Sequence, residues 1–189
     1  SENPNLDAHY FVVLNANKRS IRCDVKSERG KEILKRLFTK ADVFVENYRP
    51  GAFEALGLCY EDLSKINPRL IYASFSAFGQ KGPRGQQTAY DHVIQATSGI
   101  MAMTGTPEVN PVKFGSPAID YATGMTGACA LAAALFQRER TGKGQYLDIS
   151  LLDCYFHYHE VNVQVWSCTG GEVAPTRAGS HHHSVAPAG

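Results

Sequence analysis

The sequence lacks any sign of a disulfide framework. Its five cysteines, Cys23, Cys59, Cys129, Cys154 and Cys168, form no CxxC pair, keep no regular spacing and leave one over. That usage fits a reducing compartment, so a cytoplasmic location is expected, with the mitochondrial interior a second compartment of the same kind. Charge of one sign is also missing: nineteen Lys and Arg face eighteen Asp and Glu, a formal net charge of +1. With no long block of either sign, no chain-wide attraction to nucleic acid or to an anionic membrane is expected, and any anion site must be local. No unbroken apolar run approaches the roughly 20 residues that cross a bilayer, and the opening SENPNLDAHYF has neither the basic start nor the apolar core of a secretory leader. Neither GxGxxG nor a Walker A loop occurs, which removes the simplest phosphate-cradling glycine motifs. No Cys or carboxylate spacing accompanies the His181–His183 run, so a loop in solvent or along a cleft is expected there, with no metal site. Internal repeats and low-complexity tracts are absent too.

What remains is an ordinary globular composition, 43% hydrophobic and 20% charged over 189 residues, enough for one domain or slightly more. HYFVVLNANKRSIRCDV reads as two short strands around a polar turn at Asn15–Ser20. From Ser27, a fitting N-cap, the period becomes helical, with Ile33, Leu34, Leu37 and Phe38 on one face, and ADVFVENY follows as a buried type of strand. Short helices around Phe53–Leu56 and Tyr60–Ile66, the breaker NP and an apolar strand at Leu70–Phe75 continue the alternation. Strand alternating with helix predicts an α/β, Rossmann-like fold whose mostly parallel sheet has flanking helices. GQKGPRGQQ is then a glycine-rich loop at the carboxyl edge of a strand, where open α/β sheets bind ligands. A helix over Tyr90–Thr97 comes next. A long helix starting near Asp120 follows, with Met125, Cys129, Ala132, Leu135 and Phe136 on one face and a stop glycine in RERTGKG. GQYLDIS reads as a strand, and LLDCYFHYHEVNVQVW as one further long helix. Residues 1–170 form the expected large domain and 171–189 the start of a linker. Both ends read as cut, so a fragment is expected.

Asp120 has two readings. Directly ahead of a helical period, an Asp is an N-cap whose oxygen accepts free backbone N–H groups. A carboxylate at the positive end of a helix also stays ionised, which suits a nucleophile. Gly124 and Gly127 lie on nearly the same face and each weakens a helix by about 0.8–1.0 kcal/mol relative to Ala, so close approach of a backbone, chain or ligand is expected there. ENYRPG carries Asn47, Tyr48 and Arg49 into a turn set by Pro50 and Gly51, either a surface loop or an edge for an anionic ligand. Lys18, Arg19, Arg22 and Lys26 form either a solvated turn or a phosphate patch. Tyr90, Asp91 and His92 point in different directions on a helix and cannot make one three-residue site.

Taken in series, NANKRSIRCDVK, DVFVENYRPG, NPRLIYASFSAFGQKGP, YDHVIQATSG, the Asp120 segment and RERTGKGQYLDISLLD resemble the family III coenzyme A transferases, the CaiB/BaiF family. The resemblance implies that Asp120 is a nucleophile attacking the thioester of an acyl-CoA, with CoA passing to a carboxylic acid acceptor through an aspartyl intermediate. It implies CoA contacts at Cys23, Asp24, Val25 and Lys26 and at Asn47, Tyr48 and Arg49, with Tyr90 and Asp91 near the acyl end. CoA and acyl-CoA enter as substrates, with no permanently bound cofactor. Asp91 and Thr88 stand where the formyl-CoA transferases of the family have Glu and Lys, which puts oxalate or formyl specificity in doubt. The related α-methylacyl-CoA racemases use a His at the position of Tyr90; a phenol with an ordinary pKa of ~10 is poorly poised for that proton exchange. A third reading is a CoA-binding or structural fragment without turnover. Family members are about twice this length and form interlocked homodimers, and the histidine run resembles a cleft-lining loop.

Overall fold

The computed structural model describes residues 8–159 and 161–182; the first seven residues, Glu160 and the stretch from His183 onward lie outside it. Three strands, β1 (Val43–Glu46), β2 (Ile71–Ser76) and β3 (Tyr146–Ser150), pair in the order β1-β2-β3. Both pairings are parallel, Val43 opposite Ile71 and Tyr72 opposite Tyr146. The fold is therefore the expected α/β arrangement, a parallel sheet flanked by helices. β2 lies in the middle, and five of its six residues are buried, which is why it reads as an unbroken apolar run.

α1 (His9–Leu14), α2 (Glu28–Phe38), a 3-10 turn at Glu54–Leu56 and α3 (Tyr60–Ile66) come from the first third of the chain. α2 starts as expected: the Ser27 hydroxyl accepts from Gly30 N–H at 3.0 Å. Only part of the expected apolar face is covered. Phe38 is buried and Leu34 half-buried, whereas Ile33 and Leu37 are exposed. Phe38 joins Leu58, Leu63, Leu70 and Tyr72 in one core. Phe44 is its hub, meeting Phe38, Phe53 and Tyr72 edge-on at ring distances of 4.8, 5.2 and 4.9 Å.

The second half adds α4 (Asp91–Thr97), α5 (Ile100–Met103), α6 (Ala118–Thr141), α7 (Leu151–His157) and α8 (Asn162–Cys168). A second core of Ala77, Ile94, Ile119 and Leu151 forms where α4, α6 and α7 meet beyond the strand ends. α6 ends at Gly142, which takes the left-handed conformation at φ 72°, as the RERTGKG stop predicts. The 24-residue α6 is by length and composition capable of crossing a bilayer, yet it packs one side on β2 and β3.

Four expectations fail. The first strand pair is absent: His9–Leu14 is a helix, and Ile21–Val25 joins no strand. Local chemistry closes that helix, with Asn15 Nδ2 on Phe11 O at 2.9 Å and Lys18 Nζ on Leu14 O at 2.7 Å, and Asn17 turns the chain at φ 60°. Second, the α6 face of Met125, Cys129, Ala132 and Phe136 points outward, with Leu135 half-buried beside it; the face on the sheet is Ile119, Thr123, Gly127, Ala134 and Arg138. Small residues win there because the sheet comes close, and a Cβ on Gly127 would lie 2.3 Å from Phe75 Cζ. Buried Arg138 is held by Asp42 Oδ1 at 3.0 Å and by the carbonyls of Asp42 and Arg69. Third, the last long helix is two short ones, broken around Tyr158 and His159. His159 turns inward there, 4% exposed and edge-on to Tyr155. Fourth, Asp120 is not an N-cap. α6 starts two residues earlier with Pro117 at the cap position, so Asp120 is its third residue.

Candidate active site

The three strands end side by side, at Glu46, Ser76 and Ser150, and the loops leaving them build one edge. The loop after β1 is tied down twice. Asn47 Nδ2 donates to Phe75 O at 2.7 Å, which staples the loop across β2. Glu46, 8% exposed, accepts from Tyr48 N–H at 2.7 Å and from the Ser74 hydroxyl. Ser74 Oγ in turn accepts from Gln80 Nε2 at 2.7 Å. Gln80 N–H lies 3.1 and 3.0 Å from the two Asp148 oxygens, so the glycine-rich loop is anchored to β3. None of Glu46, Ser74, Gln80 and Asp148 was singled out from sequence. The signal was an acidic residue closing the otherwise apolar VFVE strand at the ligand-binding edge.

At this edge lies a cleft of about 710 Å³, within the range of small-molecule sites. Asn47, Tyr48 and Arg49 line one side, Tyr90 and Val93 another, and Asp120, Thr123 and Gly124 of α6 a third. Phe75, Ser76 and Leu151 lie among the strand-end residues that complete it. Five sequence-predicted residues, Asn47, Tyr48, Arg49, Tyr90 and Asp120, thus meet in one place. Gly124 opens onto the cleft with nothing within 4 Å of the Cβ position. Gly127, by contrast, is filled from within by Phe75, so the two glycines serve different neighbours.

Arg49 and Pro50 also border a second cavity of about 380 Å³, lined by Tyr72, Ser74, Gln80, Lys81 and Tyr146 among others. Burial pushes the Tyr146 phenol up to about 12 and Tyr72 higher still, so both stay neutral.

The remaining predicted residues lie elsewhere. Asp91 is not in the cleft wall. It sits behind it, 8% exposed, with Oδ2 accepting from Ile119 N–H at 2.8 Å and Asp120 N–H at 3.2 Å. Cys23, Asp24, Val25 and Lys26 are not among the cleft-lining residues. They form a turn over α2: Lys26 N–H donates to Asp24 Oδ1 at 3.0 Å, Ser27 Oγ donates to Asp24 O at 2.9 Å, and Cys23 Sγ lies 3.5 Å from Gly30 O. His181 and His182 do not line the cleft either, and His183 lies outside the described residues. Among the described residues no three His, Cys, Asp or Glu side chains converge as a metal site requires.

Asp120 is accessible from the cleft, yet partial desolvation by the surrounding protein, then the nearby Asp91 charge, hold its carboxyl above the usual carboxylate range. That direction is opposite to the one expected from the helix end alone, where the Ile119 and Asp120 N–H groups are taken by Asp91.

A profile of CoA-transferase family III matches residues 2–189. The chain is 45% identical over 179 residues to an acetyl-CoA:oxalate CoA-transferase of Acetobacter aceti, covering 94% of this chain and 46% of that protein. It is 39% identical over 185 residues to the human succinyl-CoA:glutarate CoA-transferase, covering 96% of this chain and 41% of that one. A crystal structure of a CaiB/BaiF family protein from Brucella suis superposes with a TM-score of 0.88 at 40% identity, over 95% of this chain and 47% of that one. The chain spans less than half the length of these relatives. With a family profile matched along almost its entire length, the chain belongs to the CoA-transferase family III.

Proposed function

We propose that the chain carries the nucleophile and part of the CoA-binding edge of an enzyme that moves coenzyme A between an acyl-CoA and a carboxylic acid. One observation carries the reading: a single cleft at the strand ends gathers Asp120 with Asn47, Tyr48, Arg49 and Tyr90. Open parallel sheets bind ligands at that edge, and Arg49 offers the cleft a cation suited to phosphate.

In this reading an Asp120 oxygen attacks the thioester carbonyl. The C–S bond breaks, CoA leaves as thiolate and a mixed anhydride remains. The thiolate then attacks the Asp120 carbonyl of the anhydride, releasing the donor acid and leaving an aspartyl-CoA thioester. The acceptor carboxylate attacks this thioester, giving a second anhydride and thiolate again. Attack of the thiolate on the acceptor carbonyl forms the new acyl-CoA and frees Asp120. Protons and electrons balance throughout, and no metal or redox partner is required. The raised pKa of Asp120 supports the assignment, since a more basic carboxylate is a better nucleophile. Acyl-CoA and a carboxylic acid are the partners this reading requires, with assembly as a homodimer part of the same proposal.

The test is trapping. The longest natural form of the chain, incubated with acetyl-, succinyl- or formyl-CoA and quenched with hydroxylamine or borohydride, is expected to carry a modification at Asp120 by mass spectrometry. A folded, CoA-saturated sample without that adduct would overturn the covalent reading. Exchange of an α-proton without CoA transfer would instead indicate isomerase chemistry.

A further inference from the structure

α6 begins without a cap of its own. Pro117 has no side-chain acceptor for the free N–H groups of the first turn. The acceptor comes from another helix: Asp91 Oδ2 takes the N–H groups of Ile119 and of Asp120 itself, at 2.8 and 3.2 Å. Gln95, one turn further along α4, holds Asp91 Oδ1 through its Nε2. Its Oε1 accepts from Phe114 N–H at 2.7 Å, on the segment leading into α6. Asp91 is 8% exposed and Gln95 1%, so this bracket is sealed from the cleft and from competing water.

We infer that Asp91 is the positioning residue of the site: it fixes the main chain of Asp120 and, by occupying the helix-end N–H groups, leaves the Asp120 carboxylate without backbone hydrogen bonds. The inference rests on Asp120 being the nucleophile. No bond to Asp91 forms or breaks. Its contribution is electrostatic and geometric. A carboxylate held by backbone N–H groups is stabilised as the anion and is a weak base, whereas Asp120 is spared that stabilisation. Acylation removes the Asp120 charge, and with it the repulsion from Asp91, so the interaction favours the acylated state over the free anion. The titratable groups on the elements around Asp120 are Asp91 and His92 on α4, Tyr90 ahead of it, and Arg49 on the loop after β1. Tyr72 on β2, Tyr146 and Asp148 on β3 and Asp153, Cys154, Tyr155 and His157 on α7 complete the set. Burial raises the Asp120 carboxyl most, and among the described residues Asp91 is the charge that adds to it.

Asp91→Asn tests this, because it keeps the shape and an acceptor oxygen for the two N–H groups while removing the charge. With acyl-CoA and an accepted acid, kcat is expected to fall about tenfold with KM for acyl-CoA within about twofold, and the acid limb of the kcat profile to move to lower pH. Independently of turnover, the Asp120 carboxyl, followed by 13C NMR, is expected to titrate lower in the variant than in the wild type. Asp91→Ser, an uncharged capping side chain, provides the same comparison if the asparagine variant does not fold. A folded variant whose Asp120 titration and acid limb match the wild type, or whose defect lies in KM alone, would overturn the inference. Absence of an Asp120 adduct in the wild type would overturn the nucleophile assignment instead, while the NMR titration would still report whether Asp91 controls the Asp120 charge.

Discussion

Gly124 and Gly127, one turn apart on α6, look equivalent in sequence and are not. A Cβ on Gly124 meets nothing within 4 Å, so Gly124→Ala should gain the usual helix preference, about 0.8–1.0 kcal/mol in denaturant unfolding. The same change at Gly127 drives a methyl into the Phe75 ring, with Ile149 Cδ1 3.4 Å away. Overpacking of about 1–3 kcal/mol should outweigh the helix gain and leave Gly127→Ala net destabilised. Equal effects of the two substitutions would show that α6 does not sit on the sheet as described. Asp120 supports a pH prediction at the same scale. Its pKa is raised in the fold, so its contribution to stability is complete below the unfolded carboxyl pKa and is lost as pH rises through the folded value. Asp120→Asn should therefore melt higher than wild type at neutral pH, with the gap closing as pH falls through the carboxylate range. A gap independent of pH would remove the electrostatic account.

Among the elements, those bounded by strong local signals were legible in the sequence. The Ser27 cap, the NP breaker, the Gly142 stop and the apolar β2 run each place an element that tertiary packing then leaves in place. What was not legible depended on partners far along the chain. His9–Leu14 has strand-like β-branched residues, but β propensity counts only where a sheet edge is available, and that segment finds none. The start of α6 was misplaced because its cap is Asp91, nearly thirty residues away, and no local pattern announces a cap supplied by another helix. The candidate site was legible as residue types, while its division into cleft wall and hidden support was not. Gly30 gives this scale its prediction. A Cβ there would lie 1.8 Å from Asp24 O, a backbone atom with little room to move, so Gly30→Ala must push the Cys23–Lys26 turn off α2. The expected cost is about 1–3 kcal/mol. If that turn contacts CoA, affinity measured by calorimetry falls with it; unchanged CoA affinity despite lost stability would separate the turn from the ligand.

At the scale of the whole molecule, the described residues leave apolar surface exposed, and part of it is concentrated. Tyr121, Met125 and Phe136, at 58%, 66% and 61% exposure, follow one another along the outer face of α6, with Cys129 exposed between them. Burying an apolar side chain of that size is worth about 1.5–3 kcal/mol, so such a face drives association whenever another apolar surface is at hand. The 189-residue chain on its own is therefore expected to bind a hydrophobic dye and to self-associate at micromolar concentration, read by light scattering after size exclusion. The paired substitution Met125→Lys with Phe136→Glu places charge on a face that makes no contact with the sheet. It should shift the chain toward monomer and reduce dye binding, with the far-ultraviolet dichroism unchanged. A wild-type chain that is already monodisperse and dark to the dye would mean that the outer face of α6 is covered by the chain itself in solution.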